Sequence, residues 1–89
     1  MNSQVTVTES EVLEMLASAF EEPVSELRRE VTKDDVPGWD SMGALALMAA
    51  FDEKLGLELT AAEFREMQKV GDVLDFLQQR GALVNAAHP

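Results

Sequence analysis

Apolar positions recur at helical spacing along most of the chain. Val12, Met15, Leu16, Ala19 and Phe20 fall at i, i+3, i+4, i+7 and i+8, one face of an amphipathic helix. Thr8 precedes them with Glu11 three residues on, the pattern of a capping box, so a helix is predicted over 9–20. Val70, Val73, Leu74 and Leu77 give a second clean face. Arg80 suits the negative end of that helix and Gly81 the position beyond it, which predicts a helix over 70–80. Lys69 stands where a capping side chain would help, so a weakened start is expected there. Thr60 and Glu63 form another capping box and open a short helix over 61–67, with Phe64 and Met67 facing in.

Residues 41–55 carry a different pattern. Ala44, Leu47, Met48, Phe51 and Leu55 form one apolar stripe, and Gly56 is suited to end the helix. Met42, Leu45, Ala46 and Ala49 form a second stripe on another face. Polar side chains come only at Asp52, Glu53 and Lys54. A helix apolar nearly all round is either central or carries a second contact surface. A chain of 89 residues has too few elements to cover both stripes. The second stripe is therefore read as a docking face, with Gly43, Ala46 and Ala49 small enough for close approach by a partner.

Residues 21–39 have no sustained period and are punctuated by Pro23, Pro37 and Gly38. Val24, Leu27, Val31 and Val36 are expected to pin this long connection across the core. The Pro37-Gly38 turn should set how Trp39 and Ser41 are presented. The frame is then all-α: a small four-helix bundle, its third helix short, with a long loop between helices one and two. A single domain over 1–81 is expected, after a frayed lead-in at 1–7, with 82–89 as a disordered tail.

Charge narrows the partners. Seventeen acids against seven bases give −10, which disfavours nucleic acid and anionic membrane and favours basic protein surfaces. The absence of cysteine removes disulfides and a thiol nucleophile, and fits a reducing compartment. The first ten residues show no secretory signal, and the apolar run 42–51 is about half what a spanning helix needs. A soluble, cytoplasmic monomer is expected.

No catalytic or metal site assembles in the pattern. His88, the single histidine, falls in the expected tail, which leaves Ser41 without a base. Asp34, Asp35 and Asp40 lack the spacing of a calcium loop and read as solvated charge. What remains is Trp39-Asp40-Ser41-Met42-Gly43, where a loop becomes a helix. Asp40 and Ser41 are both good caps, and an N-terminus also favours an attached phosphate. Trp39 can be a loop anchor or a contact for a group attached there or for a partner.

In register with all four helices, Asp40-Ser41-Met42 resembles the Asp-Ser-Leu motif of acyl carrier proteins, the phosphopantetheine-binding family. Phe51-Asp52-Glu53-Lys54-Leu55-Gly56-Leu57 and the stretch from Val70 resemble the family's later pattern. The resemblance implies a 4′-phosphopantetheine arm, moved from coenzyme A to Ser41 by a phosphopantetheinyl transferase. It further implies loading by an acyl or aminoacyl ligase or synthetase and use by a downstream transferase or synthase. Trp39, Met42, Leu45, Ala46, Ala49, Asp52 and Glu53 would then face partners, with Asp40 as motif residue at the helix start. Ala46 replaces an acid that many fatty-acid carriers hold, and Trp39 resembles stand-alone carriers of specialised pathways. An aminoacyl or peptidyl carrier shares the arm and differs in cargo. An unmodified helical adaptor, with Ser41 only a cap, is the alternative from another class.

Overall fold

The computed structural model describes residues 5–84. Four helices stand where the capping pattern sets them: α1 (Glu9–Phe20), α2 (Ser41–Leu55), α3 (Ala61–Glu66) and α4 (Val70–Gln79). Only the ends of α3 and α4 fall one residue short of expectation, at Met67 and Arg80. Both capping boxes close. The Glu11 N–H donates to Thr8 Oγ1 at 3.2 Å while the Thr8 N–H donates to Glu11 Oε1 at 2.8 Å. Thr60 and Glu63 repeat the exchange at 3.0 and 3.1 Å. α2 ends at Gly56, whose φ of 65° turns its N–H onto the Phe51 and Asp52 carbonyls.

The predicted inner faces meet in one core. Val12, Leu16 and Phe20 of α1 join Leu47, Phe51 and Leu55 of α2, Phe64 of α3, and Val70, Val73, Leu74 and Leu77 of α4. The first apolar stripe of α2 is therefore the core stripe.

The long connection is ordered by burial and by backbone pairing. Leu27 and Val36 are buried in the core, Val31 packs against it, and Val24 is 45% exposed. Val24–Glu26 and Lys33–Asp35 each form a single 3-10 turn. Thr32 pairs with Lys69 in an isolated antiparallel bridge. The N–H groups of Val70 and Gly71 donate to the carbonyls of Val31 and Arg29, both at 2.9 Å. Asp72 Oδ2 accepts from the N–H groups of Gln68 and Lys69 at 2.8 and 3.2 Å. These bonds satisfy the first donors of α4, which a helix start otherwise leaves unpaired. As expected, the Lys69 side chain makes no cap bond; the distant loop supplies partners that the sequence did not indicate.

The chain ends also depart from the pattern. Residues 82–84, placed in a tail by the sequence, belong to the fold. Val7–Thr8 (β1) and Leu83–Val84 (β2) pair as a two-residue parallel ladder, Val7 opposite Leu83. The Val7 N–H donates to the Ala82 carbonyl at 2.8 Å, and Ala82 is fully buried. A pairing this short has no period to read, and its two halves lie at opposite ends of the sequence. Residues 85–89, with His88, lie outside the described residues. The all-α class stands, with this ladder as an addition.

One packing feature fixes the start of α2. Gly38 lies against the backbone of Phe20, so that a Cβ there would overlap the Phe20 carbonyl oxygen. Gly43 lies against the Phe20 ring: a Cβ there would stand 2.7 Å from Phe20 Cδ1 and overlap the Gly38 carbonyl oxygen. Gly43 is therefore small for an internal contact, which corrects its reading as a place of approach for a partner.

Two predictions follow from this frame. Gly43→Ala should lose about 1–3 kcal/mol from overpacking, more than the ~1 kcal/mol that alanine gains over glycine in a helix; urea unfolding measures the balance. A stability no lower than wild type would show that the Phe20 contact gives way freely. The second concerns acid. The Thr60 N–H above all holds the Glu63 carboxyl below its ordinary range; desolvation opposes it, and the Arg80 guanidinium and the Thr60 hydroxyl add to the lowering. Its contribution is present above the ordinary glutamate value and lost as pH falls through the lowered one. Glu63→Gln should flatten the fall in thermal midpoint between about pH 5 and pH 3.

Candidate attachment site at the start of α2

The turn into α2 separates two roles that the sequence left combined. Asp40 has an extended backbone and is the N-cap. Its Oδ1 accepts from the Gly43 N–H at 2.9 Å, and its carbonyl accepts from the Ala44 N–H at 2.8 Å. Ser41 is the first residue inside the helix, one position past the cap. It is exposed, and its hydroxyl has no hydrogen-bond partner among the described residues. The reading of Ser41 as only the cap is corrected accordingly: the cap is Asp40. No acidic side chain lies in the first turn of α2. The remaining N–H groups and the positive end of the helix dipole thus face outward beside a free hydroxyl.

Trp39 is placed as an anchor. Its N–H donates to the Val36 carbonyl at 2.9 Å, closing the turn through Pro37-Gly38. Its ring stacks on Phe20 with centroids 5.1 Å apart and 25° between planes, and lies 5.9 Å from Phe64. Phe20 and Phe64 meet edge to face at 6.3 Å. Three rings from α1, the loop and α3 therefore brace the residue before the cap, which is half-buried as a result.

The second stripe of α2 faces outward as expected. Met42 is 76% exposed and Leu45 62%, and both Ala46 and Ala49 are exposed. Asp52 and Glu53 are exposed toward the far end of the helix. The stripe is not covered by any described part of the chain, which removes the reading of α2 as simply the most buried helix.

A recess of about 290 Å³ opens on the other flank of Ser41. Trp39, Asp40, Ser41 and Ala44 line one side, Phe64, Arg65 and Met67 of the α3 region another, and Lys33 of the long loop a third. Sequence reasoning singled out neither Lys33 nor Arg65. They are 32 positions apart (65 − 33) and are brought together only by the loop crossing to α3. Their one legible signal is scarcity, as two of seven bases in an acidic chain. Asp34 and Asp35 are exposed, and among the described residues no group of three or more His, Cys, Asp or Glu could hold a metal ion.

Chemically, the site offers an accessible hydroxyl and an anion-favouring helix start, with no histidine among its lining residues and with the Asp40 carboxylate engaged as the helix cap. A residue so placed can be modified by another protein's machinery and has nothing of its own to activate it.

Two likenesses bear on this arrangement. The chain is 33% identical over 76 residues to a non-reducing polyketide synthase, aptA, of Emericella nidulans. That match covers 85% of this chain and only 4% of the synthase. It is 24% identical over 71 residues to the acyl carrier protein of two Porphyromonas gingivalis strains, covering 80% of this chain and 91% of those proteins. No family model matches the chain. The four-helix fold agrees with these likenesses, which make the chain similar to carriers of the acyl carrier protein type. No helix among the described residues is long and apolar enough to cross a membrane.

The division between cap and hydroxyl can be measured. Asp40→Ala should cost about 1 kcal/mol in chemical denaturation, the usual loss for a cap. Ser41→Ala should stay within about 0.5 kcal/mol of wild type. A larger loss at Ser41 than at Asp40 would reverse the assignment.

Proposed function

We propose that Ser41 is the attachment point for 4′-phosphopantetheine and that the chain presents acyl groups on this arm to enzymes of fatty-acid or polyketide type synthesis. The observation that carries the reading is the exposed, unpartnered Ser41 hydroxyl one residue inside a helix that Asp40 already caps. The likeness to acyl carrier proteins supports it. So does the fit of the residues: the hydroxyl is accessible, and the outward N–H groups of the first turn suit a phosphodiester beside them.

In the modification, Ser41 Oγ forms a bond to the pantetheine-side phosphorus of coenzyme A. The phosphoanhydride bond breaks, the adenosine bisphosphate half leaves, and the hydroxyl proton passes to a base of the transferase. When attached, the arm supplies a terminal thiol that holds acyl groups as thioesters. This chain's own residues then position and present. Asp40 and Gly43 fix the helix start, Trp39 anchors the loop, and Met42, Leu45, Ala46 and Ala49 form the apolar surface for the transferase and later partners. Asp52 and Glu53 orient basic surfaces at encounter. The matches reach both a segment of a large synthase and carriers of nearly this length, and the proposal holds for either setting.

The test is incubation with coenzyme A and a broad-specificity phosphopantetheinyl transferase, followed by intact mass. One phosphopantetheine adduct is expected on the wild type and none on Ser41→Ala. A folded wild type that takes no adduct overturns the proposal. Leu45→Glu should keep its helical circular dichroism while modification slows by about tenfold, the effect of ~1.4 kcal/mol. Unchanged modification would remove that face from the transferase interface.

A further inference from the structure

We infer that the transferase which modifies Ser41 docks a lysine or arginine side chain in the recess between the end of α1 and the start of α2, against the Glu21 carboxylate. The inference rests on the attachment proposed above and adds the end of α1 to the surface assigned there to α2.

It begins with how the helices end. α1, α2 and α4 are each followed by a residue in the left-handed region: Glu21 (φ 56°), Gly56 (φ 65°) and Gly81 (φ 72°). The turns after α1 and α4 close with the same bond, the Glu22 N–H donating to the Ala17 carbonyl at 3.0 Å and the Ala82 N–H to the Leu77 carbonyl at 2.9 Å. Glycine is the residue such a turn favours, because a side chain there is strained. Glu21 is the one non-glycine residue at positive φ among the described residues. Its charge is misplaced as well. Glu9 and Glu11 stand in the first turn of α1, where the helix dipole favours acids, whereas Glu21 stands at the negative end. The last turn of α1 holds no base to offset it, while α2 has Lys54 at the same point. Glu21 thus lowers stability on two counts, through its backbone and through its charge. A residue that breaks two local rules with no gain to the fold marks a functional position.

The surroundings of Glu21 give that function. It lines a recess of about 380 Å³ with Ala19 and Phe20 of α1 and with Asp40, Met42 and Ala46 at the start of α2. Glu21 and Asp40 are its charged residues, and no base lines it. Asp40 and Met42 flank Ser41 in the chain, and Met42 and Ala46 belong to the exposed stripe, so the recess extends that stripe toward α1. Asp40 is engaged as the helix cap, which leaves Glu21 as the carboxylate for a partner. A lysine or arginine has the matching form: its methylene stem covers Ala19 and Met42 while its cation reaches Glu21. Contacts between exposed charges of this kind are weak and screened by salt, and they act mainly on the rate of encounter.

The test measures initial rates of modification by the transferase, with the carrier concentration varied at low salt and each fold checked by circular dichroism. Asp and Asn are both tolerated in the left-handed region, so Glu21→Asp and Glu21→Asn differ in charge with the backbone matched. Glu21→Asn and Glu21→Gly should raise the KM for the carrier about threefold, with kcat within about twofold of wild type. Glu21→Asp should restore the KM lost in Glu21→Asn. About 1 M sodium chloride, where the Debye length is ~3 Å, should close the gap between wild type and Glu21→Asn. Glu22→Gln removes the adjacent charge, which does not line the recess, and should leave the KM unchanged. Glu21→Gly should also raise the thermal midpoint by about 3 °C or more. A wild-type KM in Glu21→Asn, an equal rise in Glu21→Asp, or an equal rise in Glu22→Gln overturns the contact and leaves the attachment standing. A thermal midpoint in Glu21→Gly no higher than wild type overturns the argument from misplacement on which the contact is assigned. Failure of the folded wild type to modify at all overturns the attachment reading and the contact with it.

Discussion

Phe20 closes α1 and touches each segment that decides where Ser41 stands. Its backbone lies under Gly38, its ring under Gly43, and the same ring stacks on Trp39 and meets the edge of Phe64. These contacts come from the loop, α2 and α3 at once. Two of them require glycine, because a Cβ at either position would overlap atoms of the Phe20–Gly38 pair. Side chains could shift around a misfit, but backbone cannot do so cheaply. The start of α2 is therefore set by close backbone approach to α1, and the aromatic trio holds that approach from the α3 side.

Once α2 is seated, its local chemistry is simple. A helix start needs a cap, and Asp40 provides it. That frees the next residue from structural duty. A serine that also had to cap would have its hydroxyl occupied by a backbone N–H, and modifying it would cost the helix its start. Placing the cap one residue earlier means that changes at Ser41 need not be felt by the fold. The same economy applies to the stripes of α2. Leu47, Phe51 and Leu55 hold the helix to the core, so the face carrying Met42 and Leu45 is left free of any packing role.

Local signals were legible in the sequence and non-local ones were not. The capping boxes at Thr8 and Thr60 involve residues three apart, so they mark α1 and α3 almost to the residue. The two stripes of α2 could be told apart because their spacing is helical and the polar residues cluster at one end. The bonds that support the start of α4 left no local sign because their partners, Arg29 and Val31, lie about forty residues away in the loop. Gly43 was misread because smallness looks the same whether it serves a neighbour inside the protein or outside it. Lys33 and Arg65 gave no local sign at all. The ladder of β1 and β2 joins the two ends of the described chain, and two residues per strand leave no alternation to detect.

The exposed stripe has a physical cost that bears on how the surface works. Burying a side chain the size of Met or Leu is worth about 1.5–3 kcal/mol. Leaving Met42 and Leu45 outside forgoes ~3–6 kcal/mol by the same scale, a large part of what a small domain has in reserve. A partner that covers the stripe recovers part of this, less the freedom lost on association. The net gain is modest by construction, since only two large side chains and two alanines are available on this face. Such binding suits partners that come and go: enough apolar area to dock, too little to stay. The charge of −10 keeps copies of the chain apart while that area is exposed. Acidity and the apolar stripe are thus complementary, the one steering encounter and resisting self-association, the other supplying a contact that forms and releases.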